Sequence, residues 1–231
     1  MSEPCIVALG GGGFAGEEGG LRRFILELSG AERPRACYLP TAGGDAAEWI
    51  ELVRERVAGM AELSVLTLFH REVSDIAELL LSQDVIYVGG GNTANMLAIW
   101  RVHGLDRILA RAWAEGVVLS GTSAGANCWF EGSTTDSFGG LAALADGLGF
   151  LPGSFSPHYD GEPMRRPTFQ RLVGDGTLPD GHAADDGAAI VFRGTAVAEV
   201  VASRPGAQAY RVVRGDAGEA TETALPARYL G

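Results

Sequence analysis

Five short, almost wholly apolar runs punctuate the first 120 residues: Cys5 to Leu9, Ala36 to Leu39, Leu63 to Phe69, Val85 to Val88 and Val117 to Ser120. Helical periodicity fills much of the space between them. Leu21 to Leu28 is one such segment. Ala46 to Met60 is a second, with Trp49, Ile50, Val53 and Val57 on one face, and Thr93 to Val102 is a third, carrying Met96, Leu97 and Trp100. A strand with apolar side chains on both faces must be covered on both faces, which is what helices packed on a parallel sheet provide. The expectation is an α/β fold: a mostly parallel sheet flanked by helices in three layers. After Gly132 the character changes. Gly, Ser, Thr and Pro become frequent, and Ala188 to Phe192, Val197 to Val201 and Tyr210 to Val213 read as short strands of a meander. With no repeat and no low-complexity linker, residues 1–231 are expected to form one domain with a β-rich final third.

In such a sheet, ligands gather at the carboxyl ends of the strands. Four glycine-bearing loops fall there: Gly10 to Gly13, Pro40 to Asp45, Gly89 to Thr93 and Gly121 to Gly125. The first contains Gly11-x-Gly13-x-x-Gly16, a dinucleotide-like spacing. Glu17-Glu18, however, stands where a pyrophosphate would meet a helix N-terminus, so the run reads instead as a close approach of backbone. The fourth loop is the most specific. Val117-Val118-Leu119-Ser120 leads into Gly121-Thr122-Ser123-Ala124-Gly125-Ala126-Asn127, a strand, a Gly-x-Ser-x-Gly turn and an alanine-rich helical pattern. The glycines allow a sharp turn that lifts the Ser123 hydroxyl clear of the sheet, and the helix behind it offers unpaired N–H groups.

Composition narrows the chemistry. A formal charge of −11 argues against nucleic acid as a partner. No apolar stretch is long enough to cross a bilayer, and Met1-Ser2-Glu3-Pro4 has no basic region of the kind that opens a signal peptide, so a cytoplasmic protein is expected. Cys5, Cys37 and Cys128 lack metal-ligand or disulfide-framework spacing and read as buried thiols, and no metal or cofactor is expected. All 18 basic residues are arginines. Without lysine there is no Ser–Lys dyad, no Schiff base and no Walker lysine, so a base for Ser123 must come from the four histidines. His158, in Phe155-Ser156-Pro157-His158-Tyr159-Asp160, is the first choice and His182 the second. Asp136 is the candidate to orient the imidazole, with Glu131 as competitor. The N–H groups of Ala124 and of Gly91 or Gly90 suit an oxyanion, while Asn92 or Thr93 would cap the next helix.

These residues together resemble the peptidase E family of serine peptidases, α-aspartyl dipeptidases related to cyanophycinase, whose fold is similar to that of class I glutamine amidotransferases. The resemblance is carried by Leu39-Pro40-Thr41-Ala42, Tyr87-Val88-Gly89-Gly90-Gly91-Asn92-Thr93, the segment around Ser123, Pro157-His158-Tyr159 and Asp185-Asp186-Gly187-Ala188. It implies Ser123 as nucleophile, His158 as base, Asp136 as third member and Gly91 with Ala124 as oxyanion donors. It also implies that Gly90, Asn92 and Thr93 line the substrate site. A substrate-side arginine would follow the histidine, where Arg165, ahead of Arg166 and Arg171, is the candidate. The implied substrate is a dipeptide or short peptide with an N-terminal acidic residue, handled by a monomer or homodimer. A cyanophycinase-like β-aspartyl hydrolase and a catalytically idle ligand-binding homologue are the alternatives.

Overall fold

The computed structural model describes residues 3–17, 19–216 and 218–231; Met1, Ser2 and Glu18, and with them half of the acidic pair noted above, lie outside the described residues. The apolar runs form the centre of an eight-stranded sheet. β1 (Cys5–Leu9), β2 (Arg35–Leu39), β3 (Glu62–Val65), β4 (Val85–Val88) and β5 (Val118–Thr122) are mutually parallel in the order β1-β5-β4-β2-β3. Alternate residues of these strands feed two cores. Ile6, Ala8, Cys37, Leu39, Ile86, Val88 and Leu119 face one, and Cys5, Val7, Leu9, Tyr38, Val85, Tyr87 and Val118 face the other. The expected α/β class is what the chain adopts.

Helices divide between the two faces. α1 (Gly19–Glu27) and α2 (Ala47–Val57) pack Leu21, Ile25, Val53 and Val57 on the second core. α3 (Ile76–Leu81), α4 (Thr93–His103) and α5 (Leu105–Ala114) pack Ile76, Leu80, Met96, Leu97, Trp100, Leu105 and Leu109 on the first. Connections after β1 and β2 therefore run over one face and those after β3 and β4 over the other. They part beside β5, the kind of crevice where α/β sheets bind ligands. The third strand is shorter than its apolar run. The Leu68 and Phe69 amides donate to Asp45 Oδ2 (2.6 and 2.9 Å) rather than to a neighbouring strand, and Leu66 and Leu68 are buried as loop residues.

The last hundred residues depart most from expectation. α6 (Ala124–Asn127) is one turn long, because Phe130 already opens a strand. β6 (Phe130–Thr135), β7 (Ala142–Leu144), β8 (Leu151–Ser156) and β9 (Gly181–Ala184) build a second sheet, with α7 (Arg165–Gly174) packed on it through Phe169, Leu172 and Val173. No single meander follows. β10 (Ala188–Arg193) and β11 (Ala196–Ala202) form a hairpin that extends the first sheet antiparallel to β1. β12 (Ala209–Arg214) and β13 (Ala220–Leu225) complete the second sheet, and β14 (Arg228–Tyr229) returns to the edge of the first. The chain thus crosses between sheets at residues 185–187.

Candidate active site

Ser123 stands between β5 and α6 with φ 56° and ψ −115°, a conformation that L-residues other than glycine avoid and that here turns the side chain out of the sheet. The turn is possible only because backbones touch. A Cβ on Gly125 would lie 2.3 Å from Val88 O, and one on Gly121 would lie 2.3 Å from Gly125 O. Ser123 N–H donates to Leu9 O (3.3 Å), which ties the elbow to β1. The single turn of α6 carries little macrodipole, so the expected help from a long helix reduces to the local Ala124 amide. Across from it, the Gly89–Gly91 loop follows β4. A Cβ on Gly90 would sit 3.2 Å from Ser123 Cβ, so this loop lies directly against the hydroxyl-bearing residue. Among the described residues, the N–H groups of Gly90, Gly91 and Ala124 donate to no protein acceptor.

His158 follows β8, also at positive φ (50°), and its N–H donates to Gly10 O (3.1 Å) at the end of β1. Its Nδ1 lies 2.6 Å from Asp186 Oδ1. The hydrogen bond from His158, followed by its charge and those of Arg204 and Arg165, holds the Asp186 carboxyl below the usual carboxylate range despite partial burial. An ionised carboxylate only accepts, so Nδ1 is the donor in this pair, which in the neutral ring leaves Nε2 as the acceptor. Asp186 is itself braced. Its N–H donates to Asp160 Oδ1 (2.9 Å), and its carbonyl accepts from Arg204 Nε (3.0 Å), while the Arg204 guanidinium also pairs with Asp160. The glycine run after β1 explains itself here, since a Cβ on Gly11 would lie 2.0 Å from Asp186 Oδ1 and 3.2 Å from His158 Nδ1. It makes room for a side-chain pair rather than for a pyrophosphate.

Several expected residues stand elsewhere. Asp136 is exposed at the end of β6, and its side chain meets neither His158 nor any other hydrogen-bonding partner among the described residues. Glu131, also exposed, accepts from Gly153 N–H (2.9 Å). Both are exposed, and it is Asp186, from the crossing between sheets, that pairs with the imidazole. Asn92 caps α4, accepting from Asn95 N–H (2.9 Å), and Nδ2 donates to Ser137 O. Thr93 is buried and accepts from Asn127. Neither lines the cleft. Arg165 is buried too, with Nε on Glu162 (2.7 Å) and Nη1 on Thr134 O (3.1 Å). Arg166 pairs with Glu222 and stacks over Tyr159 and Tyr210, and Arg171 pairs with Asp175. His182, the second-choice base, lies on β9 against Phe192, where burial pushes its imidazole down to about 4 and keeps it neutral near pH 7. All three thiols are buried; burial raises Cys37 to about 11 and Cys128 well above the ordinary range.

Ser123, His158, Thr122 and the Gly89–Gly91 loop line one cleft of about 440 Å³, completed by Gly12, Ala15, Gly16, Tyr38, Gly43, Trp49 and Tyr87. An elbow serine at a parallel strand end, lining the same cleft as a carboxylate-bound imidazole, defines the class as a hydrolase-like α/β protein. Comparison narrows it further: residues 6–200 match the model of peptidase family S51, and the chain belongs to that family, a family of peptidases. It is 48% identical over 229 residues, 98% of this chain and 99% of the relative, to the protein named uncharacterized peptidase YgaJ of Bacillus subtilis (strain 168). To peptidase E of Citrobacter koseri it is 32% identical over 129 residues, 55% of this chain and 56% of that one. Its fold is similar to that of a crystallised peptidase from an acI-B1 actinobacterium, at a TM-score of 0.71 and 19% identity over 97% of this chain and 95% of that one. A putative peptidase E protein from Listeria monocytogenes EGD-e matches at a TM-score of 0.64 and 21% identity, over 88% and 99%.

Proposed function

We propose that this S51 peptidase is of the serine type, with Ser123 as nucleophile, His158 as general base and Asp186, in place of Asp136, as the group that orients the imidazole. The observation that carries the reading is the 2.6 Å His158–Asp186 pair in the same cleft as the positive-φ serine. In this scheme His158 Nε2 takes the Ser123 proton as Oγ attacks the peptide carbonyl. The oxyanion forms beside the free amides of Ala124 and of Gly90 or Gly91. Collapse breaks the C–N bond, and the proton on Nε2 passes to the departing amine. Water then attacks the acyl-enzyme with the same base assisting, which releases the acid and restores Ser123. A short peptide fits a cleft of this size.

The resemblance implies an acidic first residue, with an arginine after His158 on the substrate side; Arg165, Arg166 and Arg171 are each engaged with acids of the protein itself. The serine mechanism is tested by Ser123→Ala, for which hydrolysis of a short-peptide mixture should fall on the order of 10⁶-fold with the far-ultraviolet circular dichroism unchanged. Full activity in that variant sinks the reading.

A further inference from the structure

On the serine-peptidase reading above, we infer that the cleft selects an uncharged apolar or aromatic residue on the acyl side of the scissile bond, seated against Tyr38, Tyr87 and Trp49. The order of the strands sets the direction. His158 hangs on the end of β1, Ser123 follows β5, Gly90 follows β4, and Tyr38 is the penultimate residue of β2, so these groups run in sequence along one sheet edge. The leaving amine must take its proton from the imidazole, so it departs on the β1 side. The acyl side chain then extends the other way, past Gly90 toward β4 and β2.

That end of the cleft is aromatic and lacks a cation. Apart from His158, the lining residues include no basic side chain. Arg22 lies behind the wall, buried, with Nη1 on Phe14 O (3.1 Å) and Gly16 O (3.2 Å), and is not among the lining residues. Tyr87 stacks on Phe14 at 4.0 Å and donates its hydroxyl to Gly12 O (3.3 Å), which fixes the ring as a flat wall. The Tyr38 hydroxyl fits against Gly89, where a Cβ would come within 2.7 Å of it. Burial, and then the negative charge of Asp45, push the Tyr38 phenol up to about 12. The field that resists a phenolate there also resists a substrate carboxylate. Trp49 on α2 is 49% exposed and lines the same cleft. A carboxylate entering this space would shed water and meet no fork of donors in return, whereas an apolar side chain gains contact on three rings.

The test is a set of α-aminoalkyl diphenyl phosphonates with the side chains of Phe, Leu and Asp. Ser123 Oγ displaces phenoxide from phosphorus, the phenol departs with the serine proton, and intact mass reports the adduct. The Phe and Leu reagents should label the wild type about tenfold or more faster than the Asp reagent. Trp49→Arg, which puts a cation in the cleft, should shift the Phe-to-Asp ratio toward Asp by about tenfold. Equal or faster labelling by the Asp reagent, on Ser123 and abolished in Ser123→Ala, overturns this selectivity and leaves the serine mechanism standing. An unchanged ratio in Trp49→Arg removes Trp49 from the wall and overturns the pocket as drawn. Failure of all three reagents to modify Ser123 overturns the mechanism, and the selectivity with it.

Discussion

The two halves of the site are built by different means. Around Ser123 the geometry is backbone against backbone: β5 and α6 are adjacent in sequence, and Gly121, Gly125 and Gly90 allow main chains to touch. Around His158 it is side chain against side chain: Asp186, Asp160 and Arg204 come from three segments and hold one another through hydrogen bonds and an ion pair. The serine half should tolerate almost no added volume. The histidine half should tolerate volume better than loss of a charge or a donor.

The largest effect expected from probing this contrast is on rate. Asp186→Asn keeps the shape but supplies an amide where Nδ1 needs an acceptor, so kcat should fall by about 10⁴-fold with little change in the thermal midpoint. Steady-state kinetics beside a melting curve decide it, and activity near wild type would break the pairing. Next comes Gly125→Ala, which drives a methyl into Val88 O at 2.3 Å and should cost about 3 kcal/mol of stability. A urea midpoint that does not move would show that the elbow yields as easily as the other half. Arg204→Gln should be milder. It removes the brace on the Asp186 carbonyl and the partner of Asp160, and a slight misplacement of the imidazole should lower kcat about 10- to 100-fold with KM nearly constant. Arg204→Lys should recover part of the loss. The smallest effect belongs to Asp136→Asn, within about twofold of wild type, since that carboxylate is exposed and makes no hydrogen bond or ion pair among the described residues. A large loss there would return the orienting role to Asp136.

The same contrast governs what could be read from the chain alone. Cys5–Leu9 and Val85–Val88 emerge as strands with the boundaries expected, because two-faced burial leaves a purely local imprint. Ser123, its glycines and the loop at Gly90 are legible for the same reason. Asp186 is not. Its Asp-Asp-Gly segment stood among the motifs of the family resemblance, yet nothing local marks it as the partner of His158. Only the passage of the chain from β9 in one sheet to β10 in the other brings it back to β1. Asp136 is suitable by its place between serine and histidine in the chain, but proximity in sequence carries no information about a residue that stands exposed just past β6. The arginines after His158 misled in a similar way. Arg165 is identifiable as a guanidinium near the site, but that Glu162 and Thr134 O already satisfy it is a fact of packing. α5 is absent from the expected elements although it is legible, since Leu105, Leu109 and Ala112 recur at helical spacing on its buried face.

The crossing at residues 185–187 has a consequence for the order in which the molecule becomes competent. Ser123 and His158 leave the ribosome before the segment that steers the imidazole, and that segment is held only when both sheets are closed around it. A partly synthesised chain that lacks residue 186 can still tie Ser123 and His158 to Leu9 and Gly10, but it has no Asp186 carboxylate for the imidazole. On the proposed mechanism, full hydrolytic power arrives only with the completed body.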